Sequence, residues 1–170
     1  FRSAGGNIQK VGVIGTTGTI KSNVYEKTFL AAGAKARILG NACPDLLRLA
    51  EQGQISDTNR IEELARECVG PLEREGIEVL ILGCTDLTCI RDQLQRVLAP
   101  HIKIIDPAEE VARTADEALR KMGWRRLERG EGSFSFYESA EGPKHMKEFA
   151  ERVFNINIGA INLCKNLAYR

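Results

Sequence analysis

The sequence lacks an excess of charge of either sign, a long apolar run and any close pairing of cysteines. Its 24 lysine and arginine residues against 23 aspartate and glutamate residues give a formal net charge of +1. This balance gives no electrostatic basis for binding nucleic acid, an anionic membrane surface or a polyanionic substrate. No apolar stretch approaches the roughly 20 residues that a membrane-spanning helix needs, and no signal peptide is recognisable. We therefore expect no nucleic-acid partner and no membrane partner.

Cysteine is scarce, odd in number and widely spaced. The chain has no CxxC motif, and its two histidines, His101 and His145, lie in unrelated segments. This spacing argues against a structural zinc site, so we expect no metal. An odd number of cysteines in a chain rich in lysine and glutamate favours thiols that are kept reduced, and therefore a cytoplasmic location. The five are Cys43, Cys68, Cys84, Cys89 and Cys164.

Strand and helix patterns alternate along the first part of the sequence. With 170 residues, 43% of them hydrophobic and 28% charged, the chain is long enough to bury one sizeable core. Apolar runs predict strands at residues 11–15, 36–40, 77–82 and 102–105. Helical periodicity predicts helices at residues 20–33, 44–52, 59–75 and 86–99, with a further helix opened by Asp106 and Pro107. This alternation indicates an α/β fold with an open parallel sheet flanked by helices.

The composition changes after about residue 123. Residues 125–132 are polar and contain glycine, which predicts a loop or weak linker. Beyond it, residues 133–137 alternate like a strand, residues 144–154 are amphipathic, and residues 156–163 are apolar enough for a last strand. The basic residues between 120 and 129 are interleaved with glutamates, which favours a solvated surface over a nucleic-acid patch. This tail is too short to bury a core of its own, so it must dock elsewhere.

Cys84 lies where a predicted buried strand gives way to a predicted helix. The apolar run 77–82 stops at Gly83, and helical periodicity begins just after Cys84. Free backbone N–H groups and the dipole of a helix N-terminus favour a thiolate there, which lowers the pKa of a thiol. A thiolate at neutral pH is a base or a nucleophile, so Cys84 is a candidate catalytic residue. The alternative is an inert buried cysteine, because cysteine is among the most buried residue types.

A turn rich in glycine and threonine follows the first predicted strand. Residues 12–19 read Gly-Val-Ile-Gly-Thr-Thr-Gly-Thr. Backbone N–H groups and the hydroxyls of Thr16 and Thr19 can hold a phosphate or carboxylate at such a turn. The alternative is a tight turn in which a threonine caps the following helix. The glycine spacing is GxxGxxG rather than GxGxxG, which argues against a dinucleotide site.

The second predicted strand delivers another turn to the same sheet edge. The segment from Cys43 to Glu51 begins a helix directly after that strand. Parallel strands present their following turns at one edge, which is where open α/β sheets bind ligands. Glu51 can aim a carboxylate at that edge. Exposed glutamates are common on helices, so a purely structural position for Glu51 remains the alternative.

Four motifs together resemble the aspartate/glutamate racemase family. Residues 15–25 resemble the Thr-x-x-Thr-x-x-Ser-x-x-Tyr segment of glutamate racemases, and residues 43–51 resemble their Cys-Pro…Glu segment. Residues 82–85, Leu-Gly-Cys-Thr, resemble the motif that carries the second catalytic cysteine of the family. Residues 105–106 and the tail from 134 to 149 resemble its carboxy-terminal part. The motifs occur in order and extend over nearly the whole chain.

The resemblance implies a cofactor-independent racemase with two cysteines facing the substrate Cα from opposite sides. One thiolate removes the α-proton and the other thiol returns a proton to the opposite face. Cys84 matches one of this pair, Thr85 matches a residue that binds a substrate carboxylate, and Glu51 lies near the catalytic groups. The implied substrate is a small molecule, with L- and D-glutamate interconverted for peptidoglycan synthesis. Racemases of this fold often form homodimers, so a homodimer is an expectation.

The sequence departs from the family at three points, two of them at the site and the third in its carboxy-terminal tail, which would normally complete the missing amino-terminal region. Asp86 stands where glutamate racemases have histidine, and its charge is expected to raise the pKa of the Cys84 thiol. Because related aspartate racemases often have an acidic residue there, aspartate remains an alternative substrate. The family's amino-terminal Asp-Ser loop and Cys-Asn-Thr motif do not occur here, so a non-catalytic, dicarboxylate-binding fragment is a further alternative. Cys43 matches a structural residue, and Cys89 is expected to point into packing; we expect neither to be the second thiol.

The resemblance also predicts how the chain is divided. Residues 1–106 correspond to the racemase α/β domain that carries the second catalytic cysteine. Residues 107–170 correspond to a carboxy-terminal segment that would complete the amino-terminal domain. Without the first catalytic cysteine, the chain alone is expected to be inactive.

Overall fold

A four-stranded parallel sheet forms the centre of the molecule. The computed structural model describes residues 8–126, 135–138, 147, 151 and 157–164. The strands of the sheet are β1 (Lys10–Gly15), β2 (Arg37–Ala42), β3 (Val79–Leu82) and β4 (Lys103–Ile105). They lie in the order β2-β1-β3-β4, and every neighbouring pair of strands is parallel. The predicted α/β class with an open parallel sheet is therefore confirmed.

Helices cover both faces of this sheet. The helices are α1 (Thr17–Lys21), α2 (Val24–Ala31), α3 (Pro44–Glu51), α4 (Thr58–Arg74), α5 (Arg91–Val97) and α6 (Pro107–Lys121). On one face, apolar residues of α3, α4 and α5 pack against Ile14, Leu80 and Leu82. On the other face, Ile20, Tyr25 and Phe29 of α1 and α2 pack against valines of β1 and β3. Among the described residues, no helix combines the length and apolar composition that crossing a bilayer requires.

The helix predicted at residues 20–33 is two helices rather than one. Asn23 adopts a left-handed conformation, with φ of 51°. Asparagine tolerates this region better than most residues, because its short polar side chain bonds locally. The break separates α1 from α2 and leaves Val24 and Leu30 exposed, although the periodicity predicted them on the inner face.

The helix predicted at residues 86–99 begins as a tighter helix. Thr85–Ile90 forms a 3₁₀ helix, and only then does α5 begin at Arg91. Leu87, Ile90 and Leu94 are fully buried along this combined segment. The predicted apolar face is therefore present, while the hydrogen bonding of its first turn differs from that of an α-helix.

The tail is described only in part. β5 (Phe136–Glu138) and β6 (Ile161–Leu163) pair in parallel, within or beside the two predicted tail strands. Lys147 and Glu151 are helical and their side chains pair at 3.8 Å, and the rest of the amphipathic 144–154 prediction lies outside the described residues. Within the predicted solvated surface, Arg120 and Arg125 both pair with Asp116.

Candidate active site

The four parallel strands end at one edge, and chemically active residues follow each end. Thr16 follows β1, Cys43 follows β2, Cys84 comes just after β3, and Asp106 follows β4. Hydrogen bonds join the neighbouring ends: the Cys43 N–H donates to the Gly15 carbonyl at 3.1 Å, and the Gly83 N–H donates to the Ile14 carbonyl at 2.7 Å. The sequence-based expectation that the turns after the second and third strands meet at one edge agrees with this arrangement.

Two glycines allow the ends of β1 and β3 to approach each other. A Cβ atom on Gly15 would lie 3.1 Å from the Gly83 carbonyl oxygen. A Cβ atom on Gly83 would lie 2.8 Å from the Ile14 carbonyl oxygen, closer than real Cβ atoms come. Because both obstacles are backbone atoms in paired strands, neither can move away at low cost. Gly83 thus sets the position of the residue that follows it, Cys84.

Cys84 is partly buried, and its thiol contacts the carboxylate of Asp86. Its extended backbone, with φ of −144° and ψ of 138°, precedes the first turn of the 3₁₀ helix. The Cys84 thiol donates a hydrogen bond to Asp86 Oδ2 at 3.2 Å. A thiol and a carboxylate at this distance form a proton donor and acceptor pair.

The electrostatic environment favours the protonated form of the Cys84 thiol. Burial is the largest influence that raises the pKa of Cys84, and the hydrogen bond and charge of Asp86 and the charge of Glu51 raise it further. A backbone hydrogen bond from Asp86 acts in the opposite direction. The backbone N–H at the helix N-terminus thus lowers the pKa of this thiol, as the sequence argument expected, but burial and the two carboxylates outweigh it. The helix that follows is a short 3₁₀ segment with a carboxylate in its first turn, so its dipole does not dominate. The expected effect of Asp86 is confirmed in direction.

Glu51 and Thr85 flank this pair. Glu51 is the last residue of α3, is exposed, and lies close enough for its charge to raise the pKa of Cys84. Thr85 is exposed and is the first residue of the 3₁₀ helix. The structure therefore brings both predicted residues to the neighbourhood of Cys84. Their roles toward a substrate remain predictions.

Thr16 and Thr19 cap the first helix. The Thr16 hydroxyl accepts a hydrogen bond from the Thr19 N–H at 3.1 Å, and the two hydroxyls lie 2.9 Å apart. Of the two alternatives left open by the sequence, the capped turn is thus present. Binding of a substrate by these two hydroxyls stays a prediction.

Tyr25 is a neighbour of the site that was not singled out as a site residue from the sequence. The Cβ position of Gly83 is 3.4 Å from Tyr25 Cε2, so the aromatic ring lies against the residue that precedes Cys84. The only sequence signal was the tyrosine that ends the Thr-x-x-Thr-x-x-Ser-x-x-Tyr segment.

The remaining cysteines near the site are engaged in other contacts. Cys43 and Cys68 form a disulfide that joins the start of α3 to α4, with Cα atoms 5.7 Å apart. The expectation that the cysteines stay reduced is wrong for this pair, because packing brings together two residues that are 25 positions apart. The Cys89 thiol donates a hydrogen bond to the Asp86 carbonyl at 2.7 Å, and burial raises the pKa of Cys89 to about 11. Cys89 also packs against the core, as predicted.

Comparison with known proteins gives a consistent set of similarities. The chain is 36% identical over 115 residues to a glutamate racemase of Desulforudis audaxviator, covering 68% of this chain and 42% of that protein. It is 34% identical over 154 residues to a glutamate racemase of Carboxydothermus hydrogenoformans, covering 89% and 56% of the two chains. The crystal structure of the glutamate racemase isoform RacE1 from Bacillus anthracis superposes with a TM-score of 0.80 at 28% identity. That superposition covers 92% of this chain and 57% of the other.

The matched part coincides with the site described above. The chain spans about half the length of the curated relatives it matches. Residues 1–115 match the model of the Asp/Glu/hydantoin racemase family, and this range contains all four strand ends and the Cys84–Asp86 pair. A parallel sheet with a cysteine at the end of its third strand, matched over this range by the family model, therefore identifies the chain as a member of the Asp/Glu/hydantoin racemase family.

Proposed function

We propose that this chain supplies one catalytic half of a cofactor-independent amino-acid racemase acting on glutamate. The observation that carries the proposal is the hydrogen bond from the Cys84 thiol to Asp86 Oδ2 at the ligand-binding edge of the sheet. Inversion at an α-carbon needs an acid on one face and a base on the other. Cys84 acts as the acid or base on one face of the substrate α-carbon. Its thiol proton can pass to Asp86 when the thiolate forms.

The roles of the flanking residues follow from their places. Thr85 binds a substrate carboxylate with its exposed side chain and the start of the 3₁₀ helix. The side chain of Glu51 lies near the substrate amino group, because its charge already reaches Cys84. Thr16 and Thr19 line the neighbouring strand end, where their paired hydroxyls can also donate to a carboxylate.

In this proposal, the group for the opposite face is none of the other three cysteines near the site. Cys43 and Cys68 are joined in a disulfide, and Cys89 holds its proton toward the Asp86 carbonyl with a pKa of about 11. None of these three sulfurs is free to act as the second thiol in this arrangement. We therefore assign residues 1–106 to the racemase domain that carries Cys84, and residues 107–170 to a segment that completes the domain carrying the opposing cysteine.

Glutamate is the preferred substrate in this proposal. The matched relatives are glutamate racemases, which supports glutamate, while the carboxylate of Asp86 favours aspartate by the sequence argument. We propose that the product D-glutamate serves peptidoglycan synthesis and that the reaction takes place in the cytoplasm. We also propose that the intact protein forms a homodimer.

Protection of Cys84 from alkylation tests the proposal on this chain. The protein is treated with iodoacetamide in the presence of each enantiomer of glutamate and of aspartate, and modification of Cys84 is quantified by peptide mapping. Glutamate is expected to slow modification of Cys84 and to leave Cys164, which is also a free cysteine, unaffected. Stronger protection by aspartate would indicate an aspartate racemase. Absence of protection by all four amino acids would overturn the proposed substrate site.

A further inference from the structure

A disulfide joins α3 to α4 on the face of the sheet where Cys84 also packs. Cys43 is the residue that precedes α3, and Cys68 lies inside α4. Two hydrogen bonds hold the same region together: Asn41 Nδ2 donates to the Cys68 carbonyl at 2.7 Å, and the Cys43 N–H donates to the Gly15 carbonyl at 3.1 Å. Because neither bond involves a sulfur atom, both remain when the disulfide opens.

The disulfide lies beside an open cleft. Cys43 and Cys68 are only 5% and 6% exposed, but both line a cleft of about 130 Å³ whose other walls include Pro44, Leu64 and Glu67. A small thiol that enters this cleft meets the disulfide without unfolding of the protein.

α3 connects the disulfide to the candidate active site. This eight-residue helix begins directly after Cys43 and ends at Glu51. It packs against the 3₁₀ helix Thr85–Ile90, which begins directly after Cys84. Cys84 itself packs against the apolar cluster that both helices share, whose members include Leu46, Leu47, Leu87 and Ile90. A change at the start of α3 therefore reaches the surroundings of Cys84 through one short helix.

We propose that the Cys43–Cys68 disulfide is a redox-active site, at which a low-molecular-weight dithiol breaks the link between α3 and α4 and so increases the reactivity of Cys84. Disulfides in proteins of a reducing compartment are usually redox-sensing or catalytic rather than structural. The inference rests on the proposed function for the cytoplasmic location and for the role of Cys84. The redox step itself can be measured without turnover.

The exchange is balanced by the dithiol alone. One thiolate of the dithiol attacks the Cys68 sulfur, the bond between the two protein sulfurs breaks, and Cys43 leaves as a thiolate. Cys43 is the better leaving group, because it lies at the N-terminus of α3, where a thiolate is favoured. The second thiolate of the dithiol then attacks its own mixed disulfide and releases Cys68. Two electrons and two protons pass to Cys43 and Cys68, and the dithiol becomes a cyclic disulfide.

Alkylation of Cys84 before and after reduction tests the inference. The folded protein is incubated with dithiothreitol in the absence of denaturant, and the reagent is removed without exposure to air. The rate of modification of Cys84 by iodoacetamide is then measured against pH by peptide mapping, and its midpoint is expected to fall by about half a pH unit, about a threefold gain of thiolate at fixed pH. A looser α3 moves the Glu51 carboxylate and admits water beside Cys84, and both changes favour the thiolate. Modification of Cys164, which is also free, is the internal control and should not change.

Cys68→Ser is the matched variant, because it lacks the disulfide and keeps Cys43 and Cys84. Its Cys84 midpoint should equal that of the reduced protein and should not respond to dithiothreitol. A midpoint in Cys68→Ser equal to that of the oxidised protein would contradict the inference. If Cys68→Ser does not fold, the measurement on the unmodified chain decides alone.

Two results on the unmodified chain would overturn the inference. A disulfide that dithiothreitol reduces only in unfolding concentrations of urea would be a structural cross-link. A Cys84 midpoint that is unchanged or higher after complete reduction, in protein whose circular dichroism is unchanged, would show that the disulfide does not act on Cys84. Neither result depends on amino-acid binding, so a redox response of Cys84 without protection by any amino acid would refute the proposed function alone.

Discussion

Replacement of Gly83 by alanine is expected to destabilise the protein by forcing apart the ends of β1 and β3. The new methyl group would lie 2.8 Å from the Ile14 carbonyl oxygen, 3.2 Å from Val13 Cγ1 and 3.4 Å from Tyr25 Cε2. Overpacking of this kind costs about 1–3 kcal/mol. The Gly83 N–H also donates to the Ile14 carbonyl at 2.7 Å, and a displaced strand end weakens that bond.

The two effects together set the expected size. A backbone hydrogen bond contributes about 0.5–1.5 kcal/mol net, so the free energy of unfolding should fall by about 2–4 kcal/mol. Gly18→Ala is the matched control: Gly18 lies in α1, and its added Cβ would have Thr16 Oγ1, at 3.8 Å, as its nearest neighbour beyond the adjoining residues. Alanine is preferred over glycine in a helix, so this variant should be more stable than the parent by about 0.5–1 kcal/mol.

Urea unfolding followed by circular dichroism measures both variants. Iodoacetamide is also expected to alkylate Cys84 faster in Gly83→Ala than in the parent, because a displaced strand end exposes the thiol to solvent. If Gly83→Ala and Gly18→Ala unfold at the same urea concentration, the close approach of the strand ends is not what requires a glycine at residue 83.

Three further substitutions test separate parts of the structure. Cys43→Ser removes a cross-link between residues 25 apart and should lower the free energy of unfolding by about 3 kcal/mol, measured in urea against Cys164→Ser. Asp86→Asn removes a charge that raises the pKa of Cys84, so the alkylation midpoint of Cys84 should fall by about one pH unit. Asp106→Ala removes the cap in which Asp106 Oδ1 accepts from the Ala108 N–H at 2.9 Å, and should cost about 1 kcal/mol in the same urea assay.

Each of these expectations has a contrary outcome. Equal stability of Cys43→Ser and Cys164→Ser would mean that the disulfide does not form in the folded protein. A rise in the Cys84 midpoint in Asp86→Asn would mean that the carboxylate stabilises the thiolate rather than the thiol. An unchanged free energy of unfolding in Asp106→Ala would mean that α6 does not depend on its side-chain cap.

The sheet and the position of Cys84 were predictable because local patterns determine them. The uninterrupted apolar run before Gly83 indicates a buried parallel strand, and strands of one sheet deliver their following turns to one edge. The Asp106–Pro107 pair likewise predicted the start of α6, where the structure shows the capping bond.

Other features depend on contacts that no local pattern contains. The Cys43–Cys68 disulfide arises only when α3 packs against α4, so spacing in the sequence gave no indication of it. The environment of the Cys84 thiol depends on burial and on Glu51 from another helix, and these outweighed the expected helix dipole. The break at Asn23 was hidden by continuous apolar periodicity on both sides of it, and with it the contact between Tyr25 and Gly83.

Exchange of the substrate α-proton in D₂O, followed by NMR, tests most directly whether Cys84 acts as an acid and base at carbon. Each enantiomer of glutamate and aspartate is incubated with the chain and with Cys84→Ala. In the proposed arrangement the opposing group is not among the cysteines near Cys84, so we expect one enantiomer of glutamate to exchange its α-proton without inversion, and we expect Cys84→Ala to abolish that exchange. Absence of exchange for all four amino acids, or exchange that persists in Cys84→Ala, would contradict the assignment of Cys84 as the catalytic thiol of this chain.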